Sequence, residues 1–203
     1  MKRLAVLLSG RGSNFKAIYK AIQDGNITNA EIAIVISNKA DAKGLLFARD
    51  VGLDARFIDP ASFSSREDFD KHVVNILNSK QIDLVCLAGF MRLITSYFIN
   101  AYKDKIINIH PSLLPSFPGL NAQKQALEYG VKITGCTVHF VDEKVDHGPI
   151  ILQRAVPVFD DDDVESLSER ILKEEHKIYP EAINLIVNDK VEIKGRRVIV
   201  KKS

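Results

Sequence analysis

The stretch LAVLLSGRGSN, residues 4 to 14, decides the fold. Leu4 to Leu8 form a short continuous apolar run, which is typical of a strand covered on both faces. Two glycines then permit a tight turn, and an amphipathic segment follows from Asn14 to Gln23. The stretch predicts a buried strand that passes through a glycine turn into a helix.

The same alternation continues along the first half of the chain. Further short apolar runs predict buried strands over Ile32 to Ile36, Leu84 to Ala88 and Ile106 to Ile109. Amphipathic spacing predicts helices over Ala42 to Val51 and Ser64 to Asn78. Strands that alternate with helices pack as an α/β fold, so we expect a doubly wound, mostly parallel sheet with helices on both faces.

The pattern changes after residue 130. Strands are predicted over Thr134 to Val141 and Ile150 to Val158, and a helix over about Val164 to Lys177. A second helix is predicted over residues 179 to 189, and a hairpin over residues 191 to 200. This part of the chain is an elaborated second half of the same fold.

The domain organisation is predicted from the lack of a Ser- or Pro-rich linker between the two parts. We expect one domain over residues 1–203, with an N-terminal half at about 1–100 and a C-terminal half at about 101–190 that carries the loop of candidate catalytic residues. Residues 191–203 then form a hairpin and tail. A chain of 203 residues with 46% hydrophobic content can bury the core of one such domain.

Composition argues against several classes of partner. The net charge of +2 arises from 28 basic and 26 acidic residues, so the balance does not call for nucleic acid or a membrane. No apolar run approaches a membrane-spanning length. The two cysteines suit a reducing compartment, so a cytoplasmic location is expected. A basic cluster near the C-terminus is interpreted as a solvated hairpin and tail: Lys194, Arg196, Arg197, Lys201 and Lys202.

No metal site is expected. Three histidines show no ligand spacing with one another or with cysteine: His72, His139 and His176. The acidic run Asp160 to Asp163 is interpreted as charge at a helix N-terminus, because consecutive side chains cannot all face one ion.

The glycine turn has two interpretations. Backbone N–H groups at a glycine turn and helix N-terminus bind anions, so Gly12, Ser13 and Asn14 could hold a phosphate. The turn is not a dinucleotide-binding fingerprint, because Phe15 occupies the position of the third glycine. In the alternative interpretation, Ser13 or Asn14 simply caps the helix.

Two polar residues interrupt the apolar run that begins at residue 106. Asn108 and His110 lie two positions apart and share one face of a strand, at the end where open α/β sheets bind ligands. An amide can stabilise a developing oxyanion and an imidazole can transfer a proton, which together suit acyl transfer without a covalent intermediate. Both residues could instead be structural, with each side chain bonded to a neighbouring backbone group.

A carboxylate partner for His110 is expected from the loop VDEKVDHGP, residues 141 to 149. The loop offers Asp142, Glu143 and Asp146, and spacing does not choose among them. A neighbouring carboxylate would raise the pKa of His110 and keep it protonated. The alternative is an acidic, solvated turn.

A further carboxylate lies on an apolar helical stripe. Val164, Leu167, Ile171 and Ile178 define the stripe, and Glu175 falls on the same side. A carboxylate in that position is either paired or functional.

Several segments together resemble the phosphoribosylglycinamide formyltransferase family, from about residue 3 to 190. The segments are LLSGRGSN (7–14), LAGFMRLI (87–94), NIHPSLLPSFPG (108–119), VHFVDEKVDHGPIILQ (138–153) and EEHKIYPEAI (174–183). The resemblance implies a Rossmann-like formyltransferase fold. It also implies transfer of a formyl group from 10-formyltetrahydrofolate, as co-substrate, to the amine of glycinamide ribonucleotide in purine synthesis.

The resemblance also implies roles for individual residues. The implied catalytic residues are Asn108, His110 and Asp146. The implied nucleotide-binding residues are Gly12, Ser13, Asn14, Leu172, Lys173, Glu174 and Glu175. The implied folate-binding residues are Arg66, Met91, Arg92, Leu93, Ile94, Asn108, Asp142, Glu143, Lys144, Val145 and Asp146.

Other implications and alternatives remain beside this one. The partners would be small molecules, without nucleic acid or membrane, and the enzyme a monomer or homodimer. Many relatives carry histidines where this chain has Asn121 to Gln123, so no role is carried over there. The alternatives are a sibling methionyl-tRNA formyltransferase, a formyltetrahydrofolate hydrolase, or a non-catalytic module that binds folate or nucleotide.

Overall fold

The strand, turn and helix predicted from residues 4 to 14 all form. In a computed structural model, which describes residues 1–201, β1 spans Lys2–Leu8 and α1 spans Ser13–Gln23. Leu4 to Leu8 are fully buried. The chain divides into two compact units, Met1–Ile107 and Asn108–Ser203. Lys202, assigned to the basic tail, lies outside the described residues.

The first unit contains a parallel sheet with the strand order β3-β2-β1-β4. Its other strands are β2 (Ala30–Ser37), β3 (Ala55–Phe57) and β4 (Leu84–Leu87). Its other helices are α2 (Lys43–Asp50), α3 (Arg66–Ser79) and α4 (Ser96–Ala101), and a 3₁₀ turn spans Pro60–Ser62. The buried, near-continuous apolar strands explain the parallel pairing.

The strand β5 (Ile106–His110) leads from the first unit into the second. The second unit then contains α5 (Ala122–Tyr129), β6 (Ile133–Phe140), β7 (Ile150–Pro157) and α6 (Val164–Val187). The predicted hairpin forms as β8 (Val191–Lys194) and β9 (Arg197–Val200). β6 pairs antiparallel with β7, and β7 pairs parallel with β9 at Ile150 and Arg197.

The two helices predicted over residues 164 to 189 are one helix. Pro180 lies inside α6 and removes one backbone hydrogen bond. The buried stripe continues from Ile178 past the proline to Ile183 and Val187, and this burial outweighs the lost bond. Val164 does not belong to the stripe, because it is the first residue of the helix and is 46% exposed.

The acidic run before α6 acts as predicted. Asp163 is the N-cap, and its carboxylate accepts a hydrogen bond from Ser166 N at 2.8 Å. Asp162 forms an ion pair with Arg170 at 2.6 Å. Among residues 1–201, no helix is long and apolar enough to cross a bilayer.

Candidate active site

The end of β5 places Asn108 and His110 beside the loop that joins β6 to β7. His110 is 5% exposed, and its Nδ1 lies 3.3 Å from Asp146 Oδ2. Asn108 Nδ2 lies 3.5 Å from Asp146 Oδ1. The structure therefore brings the three predicted catalytic side chains together within the second unit.

The structure also decides which acid faces His110. Asp146 has a left-handed backbone conformation with φ 49°, and its Oδ2 accepts a hydrogen bond from Gly119 N at 2.8 Å. Asp142 instead faces His147 Nδ1 at 2.8 Å, and Glu143 is exposed. The choice that sequence spacing left open falls on Asp146.

Both ring nitrogens of His110 face acceptors. The Nε2 lies 2.8 Å from the carbonyl oxygen of Phe117, and a carbonyl can only accept, so Nε2 carries a proton. Nδ1 faces the carboxylate of Asp146. A second proton on Nδ1 would thus be hydrogen-bonded as well, which makes the site able to hold a doubly protonated, cationic ring.

Asp146 raises the pKa of His110, as predicted, but it does not set the net direction, so the expectation that it keeps the ring protonated is not met. Burial lowers the pKa of His110, whereas the hydrogen bond to Phe117 and the charge of Asp146 raise it, and the net direction is downward. The physical reason is desolvation, because the side chain is only 6% exposed and water cannot stabilise its charge. Asp146 acts in the predicted direction but is outweighed.

The carboxylate of Asp146 is held in its charged form. Burial alone would raise the pKa of Asp146, but the contacts with His139, Gly119 N and His110 outweigh it and lower that pKa. Asp146 is therefore an ionised carboxylate at neutral pH, and it supplies a fixed negative charge next to His110.

His139 belongs to this cluster, a position that the sequence pattern did not predict. It is 2% exposed, and its Nδ1 donates to the carbonyl of Phe140 at 2.8 Å. Its Nε2 lies 3.4 Å from Asn108 Nδ2 and 3.7 Å from Asp146 Oδ1. One feature of the sequence does indicate this position for His139: it lies near the end of a predicted strand that leads directly into the acidic loop.

A buried hydrogen-bond network supports the loop that follows β5. Thr137 Oγ1 donates to Ser112 O at 2.6 Å and accepts from Leu114 N at 3.0 Å. Gln153 Nε2 donates to Leu114 O at 3.0 Å. This network fixes the start of the loop that supplies the Phe117 carbonyl to His110 and the Gly119 N–H to Asp146.

The glycine turn lies in the first unit and is shaped by close backbone packing. Gly12 is the N-cap of α1 with φ 71°, and a Cβ there would lie 2.6 Å from the Cα of Gly44. Within residues 1–201 no side chain caps α1, so the alternative in which Ser13 or Asn14 caps the helix is wrong. A helix start without a side-chain cap is an arrangement that can bind an anion.

The segment Met91 to Ile94, also in the first unit, is held at both ends by side chains. Ser9 Oγ accepts from Met91 N at 2.8 Å. The buried Asp70 accepts from Thr95 N at 2.6 Å and from Thr95 Oγ1 at 2.8 Å. Between these anchors Met91 is 67% and Leu93 59% exposed, so the segment presents apolar side chains outward.

Two arginines predicted to contact folate lie near this segment of the first unit. Arg92 lies over the ring of Phe69 at 4.5 Å, and Arg66 is the first residue of α3. Burial raises the pKa of Asp70, while the hydrogen bonds from Thr95 and the charges of both arginines oppose that shift. Arg92, which belongs to the segment, and Arg66 therefore both lie close enough to Asp70 to favour its charged form.

The predicted nucleotide-binding acid lies on α6. Glu175 is 7% exposed, on the stripe formed with Ile171 and Ile178. The preceding residues 172 to 174 are partly or fully exposed, and Glu174 forms an ion pair with Lys177 at 2.7 Å. The expectation of a carboxylate on an apolar stripe is confirmed.

Comparison with known proteins agrees with this description. A family model described as formyl transferase matches residues 2–183. The crystal structure of glycinamide ribonucleotide transformylase 1 from Symbiobacterium toebii is 53% identical, with a TM-score of 0.97, and the match covers 100% of this chain and 95% of that chain. This match confirms the predicted fold, a mostly parallel α/β sheet with helices on both sides.

Two curated relatives differ in length. Phosphoribosylglycinamide formyltransferase of Haemophilus influenzae is 42% identical over 96% of this chain and 91% of its own length. The human trifunctional purine biosynthetic protein adenosine-3 is 50% identical over 94% of this chain. The chain spans only 19% of the length of that human protein.

Proposed function

Because the chain belongs to the formyl transferase family and, within it, to the phosphoribosylglycinamide formyltransferases, we propose that it forms formylglycinamide ribonucleotide. The formyl group of 10-formyltetrahydrofolate is transferred to the amine of 5′-phosphoribosylglycinamide, and tetrahydrofolate is the second product. The reaction is a step of de novo purine synthesis.

One observation carries this proposal. Within the second unit, an amide, an imidazole and an ionised carboxylate meet, with Asp146 3.3 Å from His110 Nδ1 and 3.5 Å from Asn108 Nδ2. An amide donor and a cationic imidazole are the groups that stabilise an oxyanion. The carboxylate favours the cationic imidazole, so the three groups suit attack of an amine on a formyl carbon.

The proposed reaction proceeds in two steps. The amine nitrogen forms a bond to the formyl carbon, and the carbonyl electron pair moves onto oxygen, where Asn108 and protonated His110 stabilise the negative charge. Each such donor contributes on the order of 3 kcal/mol. The carbonyl then re-forms, the bond between the formyl carbon and the folate nitrogen breaks, and the amine proton passes to that nitrogen.

The hydrogen bond between His110 and Phe117 bears on the first step. Nδ1 faces Asp146, and Nε2 donates to the carbonyl of Phe117 at 2.8 Å. To donate to the oxyanion, His110 Nε2 gives up its hydrogen bond to the Phe117 carbonyl and donates to the substrate oxygen instead. Nδ1 keeps its contact with Asp146. Phe117 is half-buried with φ 53°, whereas Asp146 is also anchored by Gly119 N, so the Phe117 carbonyl is the acceptor that is exchanged.

The remaining assignments are part of the same proposal. Gly12 to Asn14 bind the nucleotide phosphate with backbone N–H groups and the Ser13 hydroxyl, and residues 172 to 175 bind the rest of the nucleotide. Arg66, Met91 to Ile94 and Asp142 to Asp146 contact the folate. The uncapped start of α1 and the exposed apolar side chains of Met91 and Leu93 support these roles.

The test is an assay of acceptor choice. Purified protein is mixed with 10-formyltetrahydrofolate and glycinamide ribonucleotide, and the folate absorbance is followed, with His110→Ala as the inactive control. We expect turnover that requires the nucleotide and falls on the order of 100-fold or more in the variant. Turnover with water or charged initiator tRNA, but not with glycinamide ribonucleotide, would overturn the assignment.

A further inference from the structure

The loop between β6 and β7 is closed at its base by tight backbone contacts. Phe140 N donates to Pro149 O at 2.9 Å. A Cβ at Gly148 would lie 1.9 Å from the carbonyl oxygen of Phe140, so a side chain at this position is excluded. The two ends of the loop are thus fixed, and Asp146 lies two residues before the fixed end.

The rest of the loop is held by polar contacts near the surface. Asp142 accepts from Lys144 N at 3.0 Å and faces His147 Nδ1 at 2.8 Å. The side chains of Asp142 and His147 are 36% and 43% exposed, and Val145 is 54% exposed. A segment with exposed polar contacts and little apolar burial unfolds locally at a low free-energy cost. A further contact therefore helps to keep this loop in one conformation.

That further contact comes from the turn of the C-terminal hairpin. Arg196 Nη2 donates to the carbonyl of His147 at 2.6 Å, and Nη1 lies 3.2 Å from both ring nitrogens of His147. The pairing of Ile150 with Arg197 places the hairpin turn beside the end of the loop. The hairpin lies outside residues 2–183, the part matched by the family model.

We propose that Arg196 is a positioning residue that holds the loop of residues 142–148, and through it Asp146, in the arrangement needed for formyl transfer. It contacts the residue directly after Asp146 at both backbone and ring. A planar guanidinium can make these contacts at the same time, whereas a lysine ammonium could form only one of them. The catalytic part of this inference rests on the proposed function.

Gly119 provides an internal reporter of the position of Asp146. Its N–H donates to Asp146 Oδ2 at 2.8 Å, so its exchange with solvent accelerates when the carboxylate moves away. This measurement needs no substrate and therefore does not depend on the proposed reaction.

The experiment compares Arg196→Ala with Arg197→Ala by amide hydrogen exchange. The control removes the same charge from the adjacent, exposed residue, and none of the contacts described for residues 1–201 joins the Arg197 side chain to the loop. We expect several-fold faster exchange at Gly119 and at residues 144 to 148 in Arg196→Ala alone, and an intermediate effect in Arg196→Lys. Equal exchange in the two alanine variants would overturn the proposal.

Steady-state kinetics then test the link to catalysis. We expect the KM for 10-formyltetrahydrofolate to rise about fivefold in Arg196→Ala, the effect of losing one or two hydrogen bonds, with the KM for the nucleotide unchanged. Unchanged folate KM and kcat despite faster exchange would contradict the catalytic part. If the unaltered protein does not transfer formyl groups, the proposed function fails, while the exchange result still decides the role of Arg196 in the loop.

Discussion

The side chain of His110 is subject to opposing effects on its pKa. Burial favours the neutral ring, whereas Asp146 and the Phe117 carbonyl favour the charged ring. The net effect lowers the pKa of His110 below its usual value, and the protonated fraction of the ring grows as the pH falls through that pKa. In the proposed reaction, the cationic ring therefore depends directly on the charge of Asp146.

Replacing Asp146 by Asn tests this dependence at the scale of one residue. The change keeps the shape and removes the charge, so we expect the pKa of His110 to fall further and turnover at pH 7 to drop on the order of 100-fold. The titration of the His110 ring is followed by NMR. Asp142→Asn serves as the control for the titration, because Asp142 faces His147 instead. An unchanged or raised pKa of His110 in Asp146→Asn would contradict this role.

The helices α1 and α3 begin in different ways, and the difference has a functional consequence. Ser65 caps α3 by accepting a hydrogen bond from Asp68 N at 3.0 Å. The N-cap of α1 is Gly12, and its backbone packs against Gly44. A helix start without a side-chain cap leaves its N–H groups to a ligand, which is the arrangement that binds phosphate.

The element-scale prediction compares Ser13→Ala with Ser65→Ala. Because Ser13 does not cap α1, its removal should change the free energy of unfolding little but raise the KM for glycinamide ribonucleotide about tenfold, as expected for one hydrogen bond to a charged phosphate. Removal of the Ser65 cap should cost about 1 kcal/mol of stability and leave that KM unchanged. Denaturant unfolding and steady-state kinetics measure both. A destabilised Ser13→Ala with normal nucleotide KM would indicate a structural role.

The elements that sequence patterns predicted are those with a strong period or a continuous apolar run. β1, β2 and β4 are buried on both faces, which makes them visible as runs. α4 has six residues and β3 has three, too short to show a period. α5 buries only Ala122 and Ala126, so it shows no apolar stripe.

The candidate site was predictable where position in an element was informative. Asn108 and His110 followed from strand period, but the selection of Asp146 depends on the left-handed backbone of a loop. The contact of Arg196 with His147 joins residues 49 apart in sequence. Loop conformation and contacts between distant segments are set by tertiary packing, which local patterns do not encode.

For the whole molecule, binding of substrates is coupled to unfolding. A ligand that binds the folded chain alone raises the free energy of unfolding by about 2.7 kcal/mol at 100 times its Kd. For a chain of 203 residues, this corresponds to an increase of roughly 5 to 10 °C in Tm. Thermal stability thus reports nucleotide binding without the folate or the chemistry.

Glycinamide ribonucleotide should therefore raise the Tm of the unaltered protein in a concentration-dependent manner. At the same ligand concentration, a tenfold weaker affinity in Ser13→Ala should leave about half of the stabilisation, because the effect varies with the logarithm of concentration over Kd. Calorimetry with glycinamide alone is the control, since that molecule lacks the phosphate that the start of α1 is proposed to bind. An equal increase in Tm for both proteins would show that the Ser13 hydroxyl does not bind the phosphate, and an equal increase with glycinamide alone would show that the phosphate adds no stabilisation.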